Sequence, residues 1–370
     1  MRWLVLAIFA LLPAAAQERW NLQYFYDQDE SAFRILDLQF FSPARGIAVG
    51  VLQEKNGKAK GYSVVTADGG AHWSPIPLKE VGSSLFLLDD AHAWLVTDSG
   101  LWFSAENGRD WKKVSKQKGI QRVHFLTAER GFAIGYPKLF LKTEDGGKTW
   151  QKQDIDEKSP TKPEYTAYNW ISFADDKLGI VTGRSTPPRK RNSEVPIWMD
   201  PEASTRSEWP AVTVLIQTLD SGKTWNSQAA SIFGKITRVR TSKTRTVALL
   251  EYEDYFAYPS ELMRLDGPAN GIRRIYRDKT RLITDIALLP DESAIAVGLE
   301  PPGSVSHSPI PGRVKVLRSA NLSEWKEMSV DYRAAATRVL IAALDRQNCW
   351  IATDTGMILH LEPGPPAKKQ

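Results

Sequence analysis

The chain has 370 residues, a formal charge of +5, 42% hydrophobic residues and one cysteine. A charge that small on a chain this long does not imply a nucleic-acid-binding protein, and Cys349 alone excludes an internal disulfide. Stability must come from burial, for which the length suffices, and 13 tryptophans with few helix-period patterns favour an all-β fold.

Met1-Arg2-Trp3, the apolar run Leu4 to Leu12 and the small residues up to Ala16 read as a secretory leader cleaved after Ala16. The run is too short to stay in a bilayer as a spanning helix, and no cysteine stands at the cleavage point to carry a lipid. No other long apolar stretch follows, so the expectation is a soluble, exported protein, periplasmic or extracellular. Removing residues 1–16 takes away Arg2 and no acid, which lowers the formal charge from +5 to +4. Trp20 to Tyr26 then reads as a strand with no sheet of its own.

From there the chain repeats a two-strand phrase. Leu38-Gln39-Phe40, a turn and Gly46 to Gly50 form its first copy. Val123 to Phe125 with Gly131 to Gly135, Trp170 to Phe173 with Gly179 to Gly183, and Asp285 to Leu288 with Ala294 to Gly298 repeat it clearly. Weaker copies are Ser84 to Leu87 with Ala93 to Thr97, Ile236 to Arg240 with Thr246 to Leu250, and Arg338 to Ala343 with Cys349 to Thr353. Taking Phe40, Leu87, Phe125, Phe173, Arg240, Leu288 and Ala343 as anchors, the second strand starts six residues later in every copy.

An octapeptide follows the phrase. Thr143-Glu144-Asp145-Gly146-Gly147-Lys148-Thr149-Trp150 is its best copy, with Thr66 to Trp73, Ser104 to Trp111 and Thr218 to Trp225 as variants. A degraded copy, one residue short, runs from Ser319 to Trp325. The Asp side chain can cap amides two residues on, and Gly takes positive φ without steric cost. The Trp can fold back over the turn and bury a large aromatic surface. Asp68, Asp145, Asp220, Trp73, Trp111, Trp150, Trp225 and Trp325 are therefore structural residues; a single active site needs no such copies.

Seven copies, each giving four short strands, predict one all-β domain over 17–363, a seven-bladed β-propeller of antiparallel blades. The last copy has one strand, Met357 to Glu362, after Thr353 and then a Pro-rich stretch whose end, 364–370, is expected to be a disordered tail. It lacks an outer strand, and Trp20 to Tyr26 is expected to supply it and close the ring.

Variation falls on one side. The stretch from the second strand to the octapeptide Asp position runs only from Gly135 to Asp145 in copy three. It runs from Gly50 to Asp68 in copy one, Gly298 to Asn321 in copy six and Gly183 to Asp220 in copy four. In an antiparallel blade these connections share a face with those between blades, and binding residues favour variable loops on a rigid scaffold. The residues that face offers are Arg184, Arg189, Lys190, Arg191 and Trp198 from blade four, and Tyr252, Glu253, Asp254 and Tyr255 from blade five, with Glu164, Tyr165 and Tyr168 before blade four. Aromatics among mixed charges suit recognition of a protein or a sugar, while Tyr252 and Tyr255 equally suit packing of the loop on its own blade.

The five histidines, His72, His92, His124, His307 and His360, lack metal-ligand spacing, and neither a metal nor a cofactor is expected. No phosphate loop, dinucleotide fingerprint or Gly-x-Ser-x-Gly is present. The acidic run Glu251, Glu253, Asp254 has the carboxylates that a glycosidase needs, but an exposed acidic loop is the commoner source of such a run.

The octapeptide is similar to the Asp-box (BNR) repeat, and the preceding Phe-x6-Gly-hydrophobic-Ala-hydrophobic-Gly phrase resembles the photosystem II assembly and stability factor-like repeat proteins. That resemblance covers nearly the whole chain after the leader. It implies an exported seven-bladed propeller without known catalysis that helps membrane complexes assemble. Asp boxes also occur in sialidases, xyloglucan-type endoglucanases and sortilin-like receptors. Phe33-Arg34-Ile35-Leu36 resembles the sialidase Phe-Arg-Ile-Pro motif, whose Arg holds a substrate carboxylate, but departs from it at Leu36. The expectation is a monomeric, non-enzymatic, protein-binding or assembly propeller that does not span a membrane, with a glycan-binding protein or glycosidase as the alternative.

Overall fold

The computed structural model describes residues 18–28, 30–156, 161–188, 210–252, 258–265, 271–300, 312–331 and 333–362. The expected leader and the tail 364–370 lie outside them. Seven antiparallel sheets follow one another along the chain, and we letter the strands of each A to D from the axis outwards. The A strands are Ala32–Phe40, Ser84–Leu87, Ile120–Phe125, Thr166–Phe173, Lys235–Thr241, Leu282–Leu288 and Val339–Ala343 for blades one to seven. Each contacts the next, blade seven touching blade one, so the ring is closed. The chain is a seven-bladed propeller.

Closure is by the first strand. Arg19–Phe25 pairs antiparallel with Met357–Glu362 and forms the D strand of blade seven, as the sequence predicts. Trp20 is fully buried in the core of blades six and seven, and Asn21 bonds Glu362 across the junction at 2.6 Å. The short strand Ser329–Val330 then pairs in parallel with Arg19 and Trp20 and covers part of the outer edge.

The B strands carry the alternating apolar residues that bury on both faces. Phe132, Ile134, Val181, Leu249, Val297 and Ile351 are all inaccessible to solvent. The A–B turn spans six residues in six blades, Phe40 to Gly46 being the first, but the register of blade five pairs Thr241 with Thr246. Thr241, not Arg240, therefore holds the anchor position there, and that turn is one residue shorter than the sequence suggested.

The octapeptide forms the C–D turn. Thr143 donates its hydroxyl to Asp145 Oδ1 (2.8 Å) and accepts the Gly147 amide (3.0 Å), while Asp145 accepts the Thr149 hydroxyl (2.6 Å) and amide. Gly146 and Gly147 sit at φ 76° and 88°, conformations that side chains resist. Blade four repeats the pattern with Thr218, Asp220 and Thr224; the Thr224 hydroxyl and amide hold the Asp220 carboxyl down at about 2. The indole does not pack between strands of its own sheet but crosses to the preceding blade. Trp150 joins Trp94 and Leu101 of blade two, and Trp73 joins Trp350 of blade seven. Trp94 and Trp350 stack on Phe125 and Phe40 of the next blade at 3.7 and 3.6 Å, and donate to the Gly146 and Gly69 carbonyls of its turn, each at 3.0 Å.

Candidate functional site

Each A strand runs from the face bearing the insertions to the opposite one, so its axis-facing residues line the channel. In blades one, three, four, five and six the A–B register slips by one residue, at Ile35/Asp37, Ile120/Arg122, Tyr168/Trp170, Ile236/Arg238 and Ile283/Asp285. Such a bulge re-aims the side chain that follows it. The five residues after the slips, Asp37, Arg122, Trp170, Arg238 and Asp285, line one cavity on the axis, joined by Arg240.

Two cavities meet at this belt. One, of about 250 Å³, reaches from the belt towards the A–B turns along Leu38 to Phe40, Leu288 and Ala343. The other, of about 420 Å³, opens at the insert-bearing mouth between Gln121, Asn169, Lys235, Thr237, Glu251, Tyr252 and Arg338. Arg122 and Arg238 line both.

Three guanidiniums surround the Trp170 indole, with Arg122 at 3.8 Å from the ring centre and Arg238 and Arg240 each at 4.8 Å. Asp285 pairs with Arg238 Nε (3.3 Å) and Arg240 (3.0 Å) and accepts the amides of Ile286 and, across the seam, Ile341. Asp37 accepts the amides of Leu38 and, in blade two, Leu85, each at 2.9 Å. Both carboxylates thus clip one A strand to the next. Burial raises the Asp37 carboxyl above its usual range, against the pull of Arg122, and burial lowers Arg122 to about 9. The hydrogen bond of Arg122 among the described residues is a long one, 3.4 Å to the Ser84 hydroxyl. A planar five-donor fork beside an aromatic face, and so weakly engaged, is suited to a carboxylate or carbonyl-rich guest.

The residues expected from sequence are placed differently. Arg184 is not on a loop; it lies within the B strand Gly179–Ser185, paired with Ala167 and Thr213. Tyr168 is a core residue, 2% exposed, because it falls inside an A strand rather than before it. Tyr252 does line the mouth, and it donates to Glu261 of its own blade (3.1 Å), as the packing alternative expects. Glu251 is tied to Thr237 (2.6 Å) and Arg338 (3.3 Å). Arg34 is exposed on its strand and does not line the channel cavities. Arg189, Lys190, Arg191, Trp198, Glu253, Asp254 and Tyr255 lie outside the described residues. Among those described, no cluster of His, Cys, Asp and Glu could hold a metal, and no helix is long and apolar enough to cross a membrane.

The belt itself was missed by sequence reasoning. Its signal is a charged residue or Trp three positions before the anchor in blades one, three, four, five and six, taking Thr241 as the anchor of blade five.

A family model described as the DUF6242 beta propeller domain matches residues 46–209. No curated protein matches the chain. Among solved structures, YCF48 bound to a D1 peptide aligns with TM-score 0.60 at 15% identity, covering 94% of this chain and 98% of that one. YCF48 from Cyanidioschyzon merolae gives 0.59 at 16%, covering 95% and 99%. The extracellular domain of the one-component system BT4673 from B. thetaiotaomicron gives 0.55 at 11%, covering 92% of this chain and 40% of that one. Identities this low speak for a shared fold.

Proposed function

We propose that this chain is an exported, non-enzymatic propeller that holds an extended segment of a protein partner at the insert-bearing mouth of its channel, in the manner of an assembly factor. The observation that carries this reading is the belt of Arg122, Arg238 and Arg240 around Trp170, open to the mouth and flanked there by Lys235 and Arg338. Arginine and an indole are the side chains that most often dominate protein recognition. The fold shared with YCF48, which has been solved with a peptide, supports a peptide guest; the leader-like residues 1–16 support export. The likeness of the octapeptide to the Asp box supports a scaffold role for the turns.

A glycosidase needs two carboxyl groups free to exchange protons with its substrate. Asp37 and Asp285 spend both oxygens on amides, so the carboxylates of the belt favour binding over hydrolysis.

A photo-crosslinking amino acid at Gln121, exposed at the mouth, tests the reading in the native envelope. It should capture a discrete protein, whereas the same group at Gln347, on an A–B turn of the opposite face, should not. Lys235→Glu with Arg338→Glu should reduce capture on the order of tenfold through lost charge-assisted bonds. Equal capture at both positions, or turnover of fluorogenic glycosides, defeats the proposal.

A further inference from the structure

An outermost strand leaves a row of backbone N–H and C=O groups without partners in its own sheet, and soluble proteins protect such edges from pairing with another chain. Six of the seven blades do so, each by a device visible in its residues. Blade one places Pro75 and Pro77 in its D strand, Ser74–Leu78, which removes two donors. Blade two keeps Lys112–Ser115 to four residues, with two lysines and a register slip at Leu101/Trp102. Blades three and six have only Gln151–Lys152 and Lys326–Glu327 as D strands, too short to template a partner. Blade five sets Arg273, Arg274 and Arg277 in Ile272–Arg277 and slips at Leu262/Met263. Blade seven covers part of its closing strand with Ser329–Val330.

Blade four has none of these devices. Its D strand, Asn226–Ile232, has seven residues, as many as any D strand of the ring. It pairs with the C strand, Ala211–Thr218, in unbroken register from Gln217/Asn226 to Ala211/Ile232. It contains no proline and no charged residue. Gln228, Ala229, Ala230 and Ser231 are exposed, and among the described residues no strand lies on its outer side.

The side chains decide what such an edge accepts. A foreign strand gains affinity from main-chain bonds but specificity from pockets for alternate side chains, and Ser227, Ala229, Ala230 and Ser231 are too small to wall a pocket. A second copy of the same strand needs none, because a two-fold axis makes the contact self-complementary. With the axis at Ala229, Asn226 faces Ile232, Ser227 faces Ser231, Gln228 faces Ala230 and Ala229 faces itself. No like charges meet across that pair, although the chain as a whole carries +5.

We propose that the outer edge of blade four pairs with the same edge of a second copy, antiparallel about a two-fold axis at Ala229, joining two four-stranded blades into one eight-stranded sheet. This departs from the monomer expected from sequence. It uses no residue that lines the channel cavities, so it is independent of the guest at the mouth. A seven-residue strand is about 24 Å long, and a strip one strand wide buries well under the roughly 800 Å² per partner of a standard interface. The dimer is therefore weak and set by concentration.

Sedimentation equilibrium of the full chain from about 1 μM to about 1 mM should show the mass rising from one chain towards two. Ala229→Lys and Ala229→Asp, at an exposed site where folding is not at stake, should each weaken association at least about tenfold by opposing like charges. An equimolar mixture of the two should restore it. Ala229→Cys should form a disulfide with its own copy under mild oxidation, since opposed Cα atoms in such a pair stand about 4.5–5.5 Å apart. Ser74→Cys, on the proline-bearing edge of blade one, should not, and Cys349 is buried and does not compete. A chain that stays monomeric to about 1 mM overturns the proposal. So does a mixture of the Lys and Asp variants that associates no better than either alone, or equal crosslinking of the two cysteine variants.

Discussion

The seam between blades three and four and the seam between blades four and five are built from the same phrase and are stabilised unequally. At the first, Phe132, Phe140, Phe173 and Trp225 interlock around a turn whose Asp220 caps Thr224. At the second, Ile180, Thr241 and Ile272 stand in the corresponding places, and among the described residues the buried cluster there has five members against nine. A repeat protein whose stability is a sum of units and interfaces tolerates one weak interface when its neighbours are strong. In a ring the constraint is stricter, because opening any seam releases the closure that all the others share. The weak seam is held from the axis by other means: Asn169 of blade four bonds the Ile236 carbonyl of blade five at 2.7 Å, and Arg238 and Arg240 of blade five lie against Trp170 of blade four.

Three perturbations grade this comparison. The largest removes closure itself: deleting residues 18–26 takes Trp20 from the core and leaves blade seven with three strands. A cooperative melting transition should disappear, and an unchanged melting curve defeats the closure account. Next, Trp225→Ala should cost about 3–5 kcal/mol in urea unfolding, whereas Ile272→Ala, at an exposed site, should cost less than about 0.5 kcal/mol. Similar costs would mean that the two seams are not unequal. The smallest effect lies in acid, on the strong side of the ring, where His124 packs against Phe86 and Phe173. Burial lowers its pKa from 6.5 to about 4, so the folded chain keeps the ring neutral. Stability from this residue is fully present above the unfolded value of 6.5 and is lost as pH falls towards 4, by up to about 3 kcal/mol. His124→Phe should flatten the wild type's loss of stability over that interval, and an unaltered slope refutes the assignment.

The sequence makes the ring legible because the fold repeats itself and a repeat tests its own reading. Phe125, Gly131, Asp145 and Trp150 each have counterparts in other blades, so an error in one copy shows against the rest. The belt is illegible for the opposite reason. Asp37, Arg122, Trp170, Arg238 and Asp285 occupy equivalent places with different chemistry, one per blade, and meet only when the ring closes. A bulge that turns them to the axis leaves no mark in an alternating pattern. Blade five hides for a related reason: Leu265 and Ile272 preserve the spacing of the octapeptide while replacing the Thr and Trp that make it recognisable. Tyr168 and Arg184 were misplaced by boundaries, since the A and B strands of blade four extend beyond the repeat phrase towards the insert-bearing face.

The bond from Asn21 to Glu362 joins residues 341 positions apart. Arg19–Phe25 is therefore synthesised before everything it pairs with, and it must wait for the final strand, Met357–Glu362, to arrive. No local event can complete this ring, and contacts of such separation slow folding because a long loop must close before they form. During that interval both partners present bare strand edges to other chains. A cell that makes this protein has reason to deliver it whole and quickly, or to keep its two ends apart from neighbours until they meet.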